Sequence, residues 1–398
     1  MDRVAALVLA GGRGMDFGPL SEQRTKSAFP VAGSYRIIDF VLSNLSHSNI
    51  NSVGIVIQFL PAPLIEHVGS GRPWDYDMAD RSLRIMTPFV GVSETRWFHG
   101  TGDAIDKNLH MISTDEDRDI LILSGEHAYQ MDYRRLLEHH HQTDADLTVA
   151  CTRIPLEQQH PRFGNVFIDE SGRINDFIEK PERPVSPIVS TGIYCFRRTA
   201  LIKLLDACRP KHGESFNLTG DIIQPHIKRI NAQAWIFNRP WFYLGNLREY
   251  FDFHMQLACG EVRLFDSSWN VMTNYSDRNF SSRTPAYFSE DSEVSDSIIA
   301  SGCHIEGKVV NSVLSPGVTV GKGSVVDHCV IFHDVTIGEN CRVRYAVIDK
   351  DARLADGSSV GACEPGAQPP LTVLPKGYQL APGETIAAGA QLETVISI

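Results

Sequence analysis

The chain has 398 residues, 42% of them hydrophobic, enough to build more than one core. Its formal charge of -11 argues against a nucleic-acid partner, which needs clustered Lys and Arg to neutralise phosphates. No apolar run approaches the ~20 residues of a membrane span, and eight scattered cysteines without a C-x-x-C pair fit reduced thiols in a cytoplasm.

The N-terminus enters Val4-Ala-Ala-Leu-Val-Leu-Ala10 directly, with no cationic leader before it, and reads as a buried strand rather than a signal peptide. Further short apolar runs at Val53–Ile57, Asp119–Leu123 and Leu147–Thr152 suit buried parallel strands, and Tyr133–His141 and Thr199–Ala207 read as amphipathic helices. Such alternation predicts an α/β doubly wound sheet, with ligands outside the carboxyl ends of its strands. His139-His140-His141 reads as a solvated helix end, because adjacent helical residues point in different directions. Trp74-Asp75-Tyr76-Asp77 reads as a surface loop serving architecture.

From Val262 to Asp296 the composition turns polar and periodicity is lost, as in a connector. A repeat follows. Ser297-Ile-Ile-Ala-Ser-Gly-Cys-His-Ile305, Ser312-Val-Leu-Ser-Pro-Gly-Val-Thr-Val320, Cys329-Val-Ile-Phe-His-Asp-Val-Thr-Ile337 and Ala346-Val-Ile-Asp-Lys-Asp-Ala-Arg-Leu354 superimpose at offsets of 15, 17 and 17. The last three run on into Gly321, Gly338 and Ala355. One aliphatic per short strand with glycine at tight corners predicts a left-handed parallel β-helix of about five coils. The expected division is 1–261, a connector at 262–296, and the β-helix at 297–398.

Leu9-Ala10-Gly11-Gly12-Arg13-Gly14 follows the first strand. Glycines there let backbone N–H groups approach a phosphate, although the spacing is not that of the dinucleotide fingerprint. With Gly18-Pro19-Leu20, Arg24-Thr25-Lys26 and Tyr35-Arg36-Ile37-Ile38-Asp39-Phe40, this opening resembles that of the ADP-glucose pyrophosphorylases. The likeness continues through Trp97-Phe98-His99-Gly100-Thr101, Leu121-Ile-Leu-Ser-Gly-Glu-His-Ala-Tyr129, Phe163-Gly164, Phe177-Ile-Glu-Lys-Pro181 and Ser190-Thr-Gly-Ile-Tyr194. It covers nearly the whole chain.

The resemblance implies a Rossmann-like nucleotidyltransferase domain with a mixed sheet, an oligomeric enzyme of glycogen or starch synthesis, and conversion of ATP and α-D-glucose 1-phosphate to ADP-glucose and pyrophosphate with Mg²⁺. It assigns Ala10, Gly11, Gly12, Gly14, Gly100 and Thr101 to the nucleotide, and Lys26 and Glu126 to catalysis, with Glu126 as the metal carboxylate. Phe98, Gly164, Glu179, Lys180 and Ser190 fall to the sugar phosphate. Arg24 and Arg36 fall to an effector, with Gln23 close to where some members carry an effector lysine.

Departures cluster in the same places. The family's Gly-Gly-Arg-Gly-Thr-Arg-Leu is here Gly-Gly-Arg-Gly-Met15-Asp16-Phe17, so a cation aimed at the triphosphate has become an anion. The metal aspartate of Gly-Asp-His is Glu126, and a carboxylate displaced by ~1 Å can cost on the order of 10²-fold. Tyr243 replaces the second metal aspartate, Gly220 replaces the lysine of Gly-Lys-Asp before Asp221, and Phe98 replaces a tyrosine. Removal of charges that act as a unit is not repaired by the survivors. The expected role is therefore a catalytically impaired or regulatory-type subunit, in a homo-tetramer or in a hetero-tetramer with an intact paralogue. The alternatives are an active adenylyltransferase whose metal carboxylate comes from Asp16 or Asp221, and a hexapeptide acyltransferase using His304, His328 or His333.

Overall fold

Val4–Leu9 (β1) forms the centre of a mixed sheet, flanked in parallel by Ser52–Val56 (β2), then Ser82–Met86 (β3), and on its other side by Asp119–Ser124 (β4). The computed structural model describes residues 4–88, 97–112, 118–212, 215–265, 267–276, 281–362 and 369–393; Cys363 lies outside them. β4 pairs antiparallel with Ile188–Arg197 (β8), which joins the central strands to Leu147–Arg153 (β5), Asn165–Ile168 (β6) and Ile174–Ile178 (β7). Ala232–Ile236 (β9) closes the sheet beside β5. The unbroken apolar runs of β1, β4 and β5 are buried, as strands covered on both faces require. Leu7, Ile122, Val149, Phe177 and Phe196 from the sheet share one core with Leu201 and Ile222.

Helices cover the sheet, among them Thr101–Ile112 (α3), Tyr133–Gln142 (α4) and Arg198–His212 (α5). α4 begins where Asp132 accepts the Arg134 N–H, an N-cap. Its histidines differ from a uniformly solvated helix end. His140 is buried with Nδ1 2.8 Å from Thr148 Oγ1, and His141 Nε2 lies 2.6 Å from Asp119. Trp74 and Tyr76 are likewise buried, the tyrosine hydroxyl donating to Ile50 O, so that stretch is architecture from inside rather than a surface loop.

In the C-terminal half, short parallel strands stack into a prism whose one face reads Tyr287–Phe288, His304–Ile305, Thr319–Val320, Thr336–Ile337, Arg353–Leu354 and Gln379–Leu380. That is six rungs among the described residues where about five were expected. The additional rung, Tyr287–Phe288, comes from the stretch read as connector, whose polar composition hid two aromatics. Ile305, Val320, Ile337, Leu354 and Leu380 point inward from this face, meeting Val309, Val326, Val343 and Val360 from the next. The repeat works because each rung buries one aliphatic and hydrogen-bonds to its neighbours.

The chain does not divide linearly. One unit comprises residues 1–12, 40–61 and 69–241, and the other 13–39, 62–68 and 242–398. The second unit keeps the arm 13–39 by packing: Phe17 and Phe29 stack within 4.4 Å and both meet Tyr250 of Leu247–Ala258 (α6). Tyr250 also donates to Pro30 O, and Phe29 meets Phe332 of the β-helix. Aromatic burial of this kind outweighs chain proximity. No helix among the described residues is long and apolar enough to cross a membrane.

Candidate nucleotide and sugar-phosphate site

In the first unit, β1 runs into Ala10, Gly11 and Gly12. Ala10 N donates to Val56 O and Gly125 N to Leu9 O, which holds the strand ends together. A Cβ on Gly12 would stand 2.9 Å from Glu126 Oε1, and one on Gly11 would stand 3.0 Å from Gln58 N. The Gln58 backbone therefore crowds any side chain at Gly11, and the Glu126 carboxylate lies against the glycine loop itself.

Gln58, at the end of β2, grips Phe98 from both sides: Nε2 donates to Phe98 O and Oε1 accepts the Phe98 N–H at 2.7 Å. Gly100 and Thr101 follow at the start of α3. A Cβ on Gly100 would collide with the Phe216 carbonyl, and Thr101 Oγ1 accepts the Leu218 N–H at 2.9 Å. Asp221, after Gly220, has its carboxylate engaged by the Asn217 N–H at 2.7 Å.

The sugar-phosphate residues come together in the same unit. Ser190 N donates to Gly164 O at 2.8 Å, and a Cβ on Gly164 would lie 3.2 Å from Glu179 Oε2. Ser190 Oγ donates to Tyr194 Oη at 3.1 Å. Burial, and then the Glu179 charge, push the Tyr194 phenol well up, so it stays neutral. Glu179 Oε1 lies 3.4 Å from Lys180 Nζ, while the Glu179 N–H is held by Gln224 Oε1 at 2.9 Å. Lys180 adopts a left-handed φ of 47° and exposes most of its side chain. Such a backbone is unusual for lysine, and the exposed ammonium keeps the Glu179 carboxylate as its neighbour.

The remaining predicted residues belong to the second unit. Gly14 is left-handed (φ 73°) and starts the turns that carry Asp16. Asp16 Oδ2 lies 3.9 Å from Lys26 Nζ, and Lys26 is only 8% exposed. The lysine expected to meet a phosphate thus has a carboxylate from its own chain beside it. Tyr243 folds back over Gly245, where its ring would obstruct any side chain.

Arg24 and Arg36 line one cavity of about 380 Å³ in this unit. Arg24 Nη2 meets both oxygens of Asp349 at 2.8 and 2.9 Å, and its guanidinium packs against the rings of Phe29 and Phe332. Arg36 is set by its own N–H, which donates to Asp39 Oδ2 at 2.8 Å, and Asp39 Oδ1 is 2.6 Å from His67 Nε2 of Ala62–Val68 (α2). Burial first, then the charges of Arg36, Lys350, Arg283 and Arg24, push the buried His333 well below the usual histidine range. Cations are therefore concentrated here. His304 and His328 stack on Tyr287 and Tyr345.

Gln58, Tyr194, Gln224 and Asp349 were not singled out from the sequence. Gln58 had a signal, its place at a strand's carboxyl end. The others act through contacts that only folding makes.

Glu126 offers a carboxylate at the glycine loop, and among the described residues no group of three or more His, Cys, Asp or Glu side chains is arranged to hold a metal by itself. Mg²⁺ keeps several waters and is commonly bound through one or two carboxylates together with substrate phosphates, so Glu126 would hold it alongside a triphosphate.

Residues 5–259 match the Nucleotidyl transferase family model, and residues 284–377 the GlmU-like, C-terminal hexapeptide model. The glucose-1-phosphate adenylyltransferase of Thermotoga maritima is 38% identical over 331 residues, covering 82% of this chain and 77% of that protein. That of Thermomicrobium roseum is 38% identical over 361 residues, covering 85% and 83%, and that of Clostridium perfringens 37% over 370, covering 90% and 92%. On these matches the chain belongs to the glucose-1-phosphate adenylyltransferase family.

Proposed function

We propose that this chain is a catalytically impaired, regulatory-type member of that family. It works in the cytoplasm in a hetero-tetramer with an intact paralogue that makes ADP-glucose for glycogen from ATP and glucose 1-phosphate, or in a homo-tetramer. The observation that carries this reading is Asp16 at 3.9 Å from Lys26. Adenylyl transfer brings a triphosphate, a sugar phosphate and a leaving pyrophosphate together, so positive charge must exceed negative charge at the reacting groups. In this chain Asp16 offsets Lys26, and the Glu126 carboxylate stands against the glycine loop.

The residues that remain support binding. Lys180 offers an ammonium to the phosphate of glucose 1-phosphate, Glu179 accepts from sugar hydroxyls, and the neutral Tyr194, held by Ser190, supplies a hydroxyl donor. The cavity around Arg24 and Arg36 is read as the site of an anionic effector.

The experiment is pyrophosphate release from ATP, glucose 1-phosphate and Mg²⁺, first with the chain alone and then coexpressed with an intact paralogue. The expected result is a flat trace alone and an altered effector response in the mixture. Turnover by the chain alone establishes the active alternative instead. Failure of the two chains to associate or to change each other's response removes the regulatory role.

A further inference from the structure

The backbone around Gly220 is wound more widely than an α-helix. Leu218–Ile223 is a π-helix, and Gln224 N donates to Thr219 O, five residues back. Ile222 and Ile223 are buried in the core of the first unit, as is Ile227 beyond the turn, so the wide turn is anchored on both sides. Turns of this kind are rare and frequently mark functional positions. This one ends on Gln224, whose exposed side chain reaches the end of β7 and accepts the Glu179 N–H at 2.9 Å.

β7 stands at one end of its sheet and pairs with β6, Ile178 lying opposite Asn165. The segment after the π-helix fastens the end of this strand through side chains. Gln224 takes the Glu179 N–H, and Lys228 pairs with Asp176 at 3.5 Å. The backbone that follows is strained. Lys180 has a φ of 47° and precedes Pro181. A left-handed backbone is disfavoured for lysine, and a following proline pushes the residue before it toward extended conformations. A residue disfavoured on both counts keeps its conformation only where its surroundings over-determine it. The contacts that do so here are Gln224 on the Glu179 N–H, the Glu179 carboxylate 3.4 Å from Lys180 Nζ, and Gly164, where a Cβ would stand 3.2 Å from Glu179 Oε2.

We infer that Gln224 is a positioning residue for glucose 1-phosphate. By holding the Glu179 N–H it keeps the Glu179 carboxylate and the Lys180 ammonium in one relative geometry, the first for sugar hydroxyls and the second for the phosphate. The inference rests on reading that pair as the sugar-phosphate site. Without the clamp, the Glu179–Lys180 backbone is free to relax toward the extended form that Pro181 favours. Binding then has to order it again, and that ordering entropy is lost from the affinity. Gln224 acts through Lys180, so the two residues are coupled and their effects do not add.

The test is calorimetric titration of the full chain with glucose 1-phosphate, comparing the unaltered protein with Gln224→Met, Lys180→Ala and the double variant. Methionine keeps the length of the side chain and removes the acceptor. Gln224→Met is expected to weaken binding by about threefold to tenfold, the range of one hydrogen bond. In the Lys180→Ala background the same substitution is expected to change Kd by less than about twofold. Hydrogen exchange reads the clamp directly: the Glu179 amide is expected to exchange at least about tenfold faster in Gln224→Met. Gln224→Glu retains an acceptor oxygen and is expected to return it to slow exchange. A Kd that Gln224→Met leaves unmoved, an equal loss with and without Lys180, or a Glu179 amide equally fast in both Gln224 variants overturns the positioning role and leaves the site standing. If the unaltered chain does not bind glucose 1-phosphate, the sugar-phosphate reading fails first and the positioning role with it.

Discussion

The residues expected at the sugar phosphate and those expected at the triphosphate are built differently in this protein. Around Gly164, Glu179, Lys180, Ser190 and Tyr194 the side chains are held by one another and by backbone, with the exposed Lys180 ammonium beside Glu179. Among the residues expected at the triphosphate, Glu126 lies against Gly12 in the first unit, while in the second Asp16 lies beside Lys26 and Tyr243 folds over Gly245. The scaffold glycines stay in both. A loop can keep its shape for packing reasons after its electrostatics have reversed, so motif retention by itself does not establish activity.

The strongest way to break this contrast is to restore the triphosphate corner. Asp16→Arg with Glu126→Asp and Tyr243→Asp is expected to raise pyrophosphate release by on the order of 10²-fold or more, the scale of regained transition-state electrostatics. If release stays flat while the variant folds and binds ATP, the impairment lies elsewhere. Removing the surviving cation at the other corner tests its integrity. Lys180→Ala is expected to weaken glucose 1-phosphate binding by about 10- to 100-fold, as for loss of a charge-assisted hydrogen bond, and calorimetry reads it directly. An unchanged Kd would mean that this corner, too, is only architecture.

A third prediction concerns the arm that carries Lys26. His254 is buried in α6, with Nδ1 2.7 Å from Tyr250 O and Nε2 accepting the Ala32 N–H at 3.2 Å. Burial pushes its pKa down to about 4. In the unfolded chain the group titrates near 6.5, so it binds more protons unfolded than folded. Its contribution is complete above about pH 6.5 and is lost as pH falls toward 4, at about 1.4 kcal/mol per pH unit. His140, pushed down to about 4 chiefly by burial, adds to the same slope in the other unit. His254→Gln is expected to flatten the acid limb of a melting-temperature profile between pH 6.5 and 4. A profile equally steep in the variant would show that this histidine does not govern it. The smallest effect belongs to Asp16→Asn alone. Relief of one partly exposed carboxylate is expected to tighten ATP binding only a few-fold, within the range of a screened charge pair.

Much of this was legible in the sequence. The strands β1, β2, β4 and β5 stand where their apolar runs lie, and the repeat at 15, 17 and 17 became stacked rungs. His140 and Trp74 were misjudged as solvated because a local pattern does not report what packs over it. The rung at Tyr287–Phe288 was missed because one turn of polar residues masks a two-residue strand.

The sequence by itself determined the two architectures and the family, since periodicity and motif order depend only on local spacing. It also exposed the reversed charge at Asp16, because residue identity alone sets the sign. Only the tertiary structure decided that Asp16 faces Lys26, that Gly12 abuts Glu126, and that residues 13–39 pack with the β-helix unit. The same is true of Asp349, which sits 325 residues from the Arg24 it holds. Electrostatic contact falls off with distance in space and not along the chain, so such pairs exist only once packing has brought the two segments together.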